Sequence, residues 1–263
     1  MRKYWLIFKT NLEKSLEYRA ELFAHLIMGA FTLVIMIFIF KAVFKQTDNF
    51  AGYTFSSMLT YLVMVRVLHA TNRWNTSRLI GDEIKEGSLS MYLTRPVSYL
   101  RYWFSLFLAD RFFEFLVRSS LILAFLVLVP TLFTFPSAGK LIVFFAFLPL
   151  ALFLNFVFNL LLALLAFWVT DVRLFSTFVD LLVGFLAGSL VPLEMFPAAV
   201  RNISYFLPFQ YTLYFPIKIY QGSLGPSQIA TGVFVSLLWI GFLLVVLNYL
   251  WNKGLKRYEA TGQ

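Results

Sequence analysis

Between Leu141 and Val169 the chain runs without a charged residue, and several further windows carry few or none. An α-helix needs about 20 apolar residues to cross roughly 30 Å of hydrocarbon. Backbone in that medium must satisfy its own N–H and C=O groups, which leaves helices and closed barrels. Barrel strands alternate over about 10 residues, whereas these runs are continuously apolar. The sequence therefore reads as an all-α polytopic membrane protein. Six transmembrane helices are expected, at about Leu22–Phe44, Phe55–Asn72, Tyr102–Phe133, Leu141–Val169, Leu174–Pro192 and Gln228–Trp251.

Composition agrees: 60% of the 263 residues are hydrophobic and 13% charged, against about 45–50% and 25% in soluble domains. With no cysteine, disulfides, iron–sulfur clusters and thiolate chemistry are excluded. The net charge of +9 does not point to nucleic acid, because the basic residues flank the apolar spans. Fourteen Lys and Arg fall in the arm before the first span, the 73–101 loop, Arg173 and the tail. Five (Lys41, Lys45, Lys140, Arg201 and Lys218) fall in the intervening segments. By the positive-inside rule both ends are cytoplasmic. Met1-Arg2-Lys3 is followed by only five apolar residues before charges resume, so no signal-peptide core is expected.

Residues 1–20 read as an amphipathic interfacial helix. Trp5, Phe8, Leu12 and Leu16 share one face, and the charges lie largely off it; packing of that face on another protein element is the alternative. Residues 188–222 are too apolar for an ordinary loop, and Pro192, Pro197, Pro208 and Pro216 interrupt them too often for one helix. Two short re-entrant helices between the fifth and sixth spans are expected on the outer side, with Tyr205, Tyr211 and Tyr214 in an aromatic belt.

No catalytic constellation is present. His25 and His69 lie on different spans without an acidic partner at ligand spacing, and neither GxxxxGK[ST] nor GxSxG occurs. The polar interval Glu83–Ser98 stands out instead. Ile80, Ile84 and Leu89 make one apolar edge, Asp82, Glu83, Lys85 and Glu86 surround it, and Gly81 and Gly87 bracket it as breakers. Such a knob suits the groove of a soluble partner; a solvated hairpin is the plainer reading.

Its residues carry a resemblance. Glu83-x-x-Glu86-Gly87-Ser88-Leu89, then Leu93-x-Arg95-Pro96-Val97-Ser98, resembles the cytoplasmic loop of the ABC-2 type exporter permeases. Gly188-x-x-Val191-Pro192-Leu193-x-x-Phe196-Pro197, with Leu207-Pro208 beyond, is similar to that family's extracellular re-entrant region. Gly254-Leu255-x-Arg257-Tyr258-Glu259-Ala260-x-Gly262 resembles the ending of a bacterial subgroup. The resemblance implies one permease domain over 1–263, in a bacterial cytoplasmic membrane. Within it lie a connecting helix (1–20), a coupling loop (73–101), the re-entrant region (188–222) and a cytoplasmic tail (252–263). It implies that Gly81, Asp82, Glu83, Ile84, Glu86, Gly87 and Leu89 form a coupling helix on a separate ABC ATPase. That partner would hold ATP and Mg, leaving this chain without a cofactor of its own.

Charges at membrane depth are costly and normally face protein or water. Arg66 either snorkels to the cytoplasmic surface or lines a path. Asp180 needs a partner, with Arg66 or Arg118 as the structural choice and an inner vestibule as the functional one. Asn155 and Asn159, at i and i+4, are expected to hydrogen-bond between helices; Asn155 is also a candidate for the path. Glu114 and Arg118 are spaced for an i,i+4 pair. Six spans are few for a large path, so a second copy or a related permease is expected beside the chain, with lipid around both. A membrane-embedded lipid-modifying enzyme and a passive channel are the competing readings.

Overall fold

The computed structural model describes residues 2–17, 19–68, 75–94, 96–128, 133–169 and 172–258, and these are helical without a β-strand. Among the described residues eleven α-helices follow one another: α1 Arg2–Glu17, α2 Arg19–Val43, α3 Phe55–Leu68, α4 Asn75–Lys85, α5 Leu89–Leu93, α6 Tyr99–Leu128, α7 Ala138–Leu164, α8 Val172–Leu186, α9 Ala198–Phe206, α10 Tyr214–Gln221 and α11 Pro226–Leu255. Short 3-10 turns at Leu165–Phe167, Leu193–Met195 and Pro208–Thr212 join some of them.

The start and stop signals are local. The Thr54 and Ser57 hydroxyls accept each other's backbone N–H at 3.3 and 2.9 Å, closing a reciprocal cap at the start of α3. Pro226 opens α11 where its missing N–H costs nothing, and the Gln228 side chain accepts the Gly225 N–H at 2.9 Å. Gly222, at φ +67°, ends α10 in the left-handed conformation.

α3 is the centre: Met58–Leu68 is buried apart from Arg66. Around it stand α2, α6 and α10, while α7 packs on α11, α4 and α10. Gly232 lets α11 approach α10, since a Cβ there would sit 2.0 Å from the Phe215 ring.

Large apolar side chains face outward as well as inward, around a few buried polar ones. Thr60, Arg111, Asn155, Asn159, Ser176 and Ser236 are buried, while Phe31 and Phe38 of α2, Phe178 and Leu181 of α8, and Phe242 and Val245 of α11 face outward. A hydrocarbon surround makes that arrangement favourable. Among the described residues, Ala138–Phe167 and Pro226–Leu255 are long and apolar enough to cross a bilayer; Ile27–Val43, Phe55–Leu68 and Leu174–Leu186 are apolar but shorter.

Some expected boundaries move. The fifth apolar segment does not reach Pro192, because α8 ends at Leu186 and Gly188 turns the chain at φ +81°. Gly81 is no breaker: α4 runs through it from Asn75 to Lys85. Ile80 and Ile84 sink into the core on either side of it, at 0% and 4% exposure. Burying two such side chains at about 1.5–3 kcal/mol each outweighs the roughly 1 kcal/mol that glycine costs a helix. Gly87, at φ +76°, does end the segment.

Candidate functional site

The polar interval is bound into the helix ends on several sides. Ile80, Ile84 and Leu89 all point inward and are buried, which leaves Glu86 and Met91 on the exposed side. Glu83 turns inward as well: the Tyr99 hydroxyl donates to its Oε2 at 2.7 Å and the Trp103 Nε1 at 3.1 Å. Burial pushes the Tyr99 phenol far above its ordinary range and the Glu83 charge adds to this, so the hydroxyl remains a donor. One turn on, the Tyr258 hydroxyl donates to the Gly87 carbonyl at 2.5 Å and accepts the Ser90 N–H at 3.1 Å. Tyr99 also stacks on Trp251 of α11 at 5.6 Å, and the Ser98 N–H reaches the Tyr4 hydroxyl of α1 at 3.2 Å. Residues 83–98 are thereby tied to α1, the base of α6 and the end of α11. Arg95, His69 and the final motif residues 259–263 lie outside the described residues.

α1 does pack on protein. The Asn11 side chain donates to Asp110 Oδ1 at 2.7 Å, and Phe8 meets Phe112 of α6 at 6.3 Å. Trp5 and Leu6 remain exposed, at 63% and 52%. The helix thus packs one side on α6 and leaves an apolar edge outward.

Asp180 has a partner other than those expected. Arg78 of α4, not Arg66 or Arg118, approaches its Oδ2 at 3.6 Å and also donates to Thr177 Oγ1 at 2.9 Å and Ser176 Oγ at 3.4 Å. The sequence reading placed Arg78 in a loop. The helix through Gly81 instead carries it alongside α8.

The three path candidates Arg66, Asp180 and Asn155 each meet different partners. Arg66 presents its carbonyl to Arg118 at 3.5 Å. Asn155 accepts from Asn159 along α7 itself, at 3.0 Å, and lines an apolar crevice with Pro208, Phe209 and Thr212. Glu114 pairs with the buried Arg111 at 3.2 Å, an i,i+3 contact that the sequence reading did not name. Among the described residues no three His, Asp or Glu side chains converge as a metal site.

At the opposite end of α3, α7 and α11 lies a cluster that the sequence reading missed. Lys218 of α10 meets Glu194 at 3.0 Å. The Tyr214 hydroxyl donates to Glu194 Oε1 at 2.6 Å, and Tyr53 donates to Oε2 at 3.2 Å. The Lys218 ammonium also donates to the Tyr53 hydroxyl at 3.2 Å and sits 4.9 Å from its ring centroid. Burial, with the Glu194 charge second, pushes the Tyr53 phenol well up. The prolines set this geometry: Pro192 leads into the turn that carries Glu194, Pro197 leads into α9, and Pro208 opens the turn before α10. A signal existed, since Glu194 is the one carboxylate between Asp180 and Glu259. A lone acid in so apolar a tract needs a cation.

No curated protein matches the chain. Residues 30–262, however, match the family described as ABC-2 family transporter protein. The chain therefore belongs to that family of membrane-embedded ABC-transporter permeases, transport subunits that work in general with an ABC ATPase and are not themselves the ATPase.

Proposed function

We propose that the chain is one permease half of an ATP-driven exporter, with six spans built on α2, α3, α6, α7, α8 and α11 and both termini in the cytoplasm. A second copy or a related permease completes the path, and two ATPase subunits below hold ATP and Mg; this chain holds no cofactor. The membrane is the bacterial cytoplasmic membrane, and the domain divisions follow the boundaries given above. The observation that carries the reading is the tethering of residues 83–98. A push on the exposed Glu86 and Met91 side reaches α6 through Glu83, α11 through Tyr258 and α8 through Arg78.

On this reading Gly81, Asp82, Ile84, Gly87 and Leu89 shape the coupling element and seat it. Glu86 faces the ATPase, and Glu83 works from within. ATPase closure moves the element, and the helix ends follow. Such a change requires the ATPases to contact the two states unequally. Arg66, Asp180 and Asn155 border the moving helices, and the region around Pro192, Pro197 and Pro208 flanks the exit.

The test is co-purification of the tagged chain from its native membrane, followed by ATPase and transport assays in vesicles. An ABC ATPase subunit should accompany the wild-type chain, and Glu86→Ala with Met91→Ala should weaken its capture without lowering membrane insertion. Recovery of the intact chain with no nucleotide-binding subunit, under conditions that hold complexes together, would overturn the proposal.

A further inference from the structure

The outward face of α11 changes chemistry along its length. Leu238, Phe242 and Val245 are exposed at turn spacing, and the same stripe continues into Tyr249, Asn252, Lys253 and Lys256. Val245, Asn248, Tyr249, Asn252, Lys253 and Lys256 line an open groove of about 570 Å³. Lys253 holds its ammonium 5.7 Å from the Tyr249 ring centroid, and Asn252 donates to Asn248 Oδ1 at 3.4 Å. No carboxylate occurs anywhere from 195 to 258.

We propose that this groove binds one anionic phospholipid, its phosphate between Lys253, Lys256 and the Asn252 amide and an acyl chain along Val245, Phe242 and Leu238. Two cations beside an amide donor match a phosphodiester, and basic residues at a helix end attract anionic headgroups at a membrane surface. The apolar stripe decides between occupants. A soluble acidic protein would meet the lysines but could not follow the face into hydrocarbon. A second copy meeting this face about a two-fold axis would set its own lysines against these, since such an interface repeats the same patch on both sides. A molecule with an anionic head and a long tail fits both halves of the stripe.

The site needs α11 to end at a membrane surface. The cytoplasmic assignment of that end rests on the topology proposed above and is tested separately.

The full chain in detergent is titrated with phosphatidylglycerol, with phosphatidylcholine of the same acyl chains, and with inorganic phosphate, and bound lipid is counted by native mass spectrometry. Wild type should retain phosphatidylglycerol in clear preference to phosphatidylcholine, and phosphate should not compete at equal concentration. The K253Q/K256Q variant should lose roughly 10- to 30-fold in phosphatidylglycerol affinity, as expected for removing two near-surface cations. K253R/K256R should keep it, and K41Q/K45Q, at the far end, should be unaffected. Equal retention of the two lipids, undiminished binding by K253Q/K256Q, or displacement by phosphate would overturn the site. So would lipid-independent dimer cross-linking at Asn252→Cys, a unique thiol in this cysteine-free chain. The same thiol, labelled by an impermeant reagent in oriented vesicles, reports which side α11 ends on. Preferred phosphatidylglycerol binding with labelling from outside keeps the site and refutes the topology alone.

Discussion

Replacing Glu83 separates two ideas about the coupling element. If Glu83 were a docking contact, Glu83→Ala would weaken ATPase capture and leave the isolated chain as stable as before. The geometry says otherwise, because its Oε2 takes two donors, Tyr99 at 2.7 Å and Trp103 at 3.1 Å. Tyr99 and Trp103 are only 5% and 6% exposed, so water cannot readily replace the lost acceptor. A hydrogen bond to a charged group contributes about 1.5–3 kcal/mol. The two share one oxygen and Glu83 is itself partly exposed, so a combined loss of about 2–4 kcal/mol is expected on Glu83→Ala. Glu83→Gln keeps an acceptor without the charge and should lose about half of that.

Thermal unfolding of the purified chain in one fixed detergent is the assay, run beside Glu86→Ala. Glu83→Ala should lower the melting temperature by several degrees and Glu86→Ala should leave it alone. In the assembled transporter, Glu83→Ala should reduce substrate moved per ATP more than it reduces ATPase capture. An unchanged melting temperature with capture lost would refute the inward role of Glu83.

Three further outcomes follow from the same structure. Tyr99 has a folded pKa raised far above its unfolded value of about 10, so its stabilising contribution is complete below pH 10 and is lost as pH rises beyond it. Between pH 10 and 11 the wild type should lose about 1 kcal/mol more than Tyr99→Phe, the difference steepening toward about 1.4 kcal/mol per pH unit above pH 11; parallel slopes would refute this. Lys218→Met should cost about 2–3 kcal/mol by leaving Glu194 with tyrosine donors alone, and adding Glu194→Gln should recover part of it. Additive losses in that double-mutant cycle would mean that the pair is not coupled. Gly232→Ala would drive a Cβ to 2.0 Å from the Phe215 ring and should destabilise by about 1–3 kcal/mol, whereas Gly241→Ala, with open space around it, should not.

The class of protein was legible without coordinates because hydrocarbon admits so few backbone solutions. Uninterrupted runs such as Leu141–Val169 had to be helices, and the proline spacing over 188–222 had to produce short ones. The ordered motifs likewise pointed to the family that the match over residues 30–262 then showed. These are local properties, decided within one or two helical turns of the chain.

Partner choice was not local, and here the tertiary structure decided. Asp180 found Arg78 because α4 runs through Gly81, and that depended on what lay beneath Ile80 and Ile84. Glu83 turned inward because Tyr99 and Trp103 sit one turn apart on α6, facing it. Tyr258 reached Gly87 across 171 residues, and Glu194 joined Tyr53 across 141. A sequence states that a charge in an apolar tract must be compensated. Only the packing of distant helices determines which residue stands within hydrogen-bond reach to compensate it.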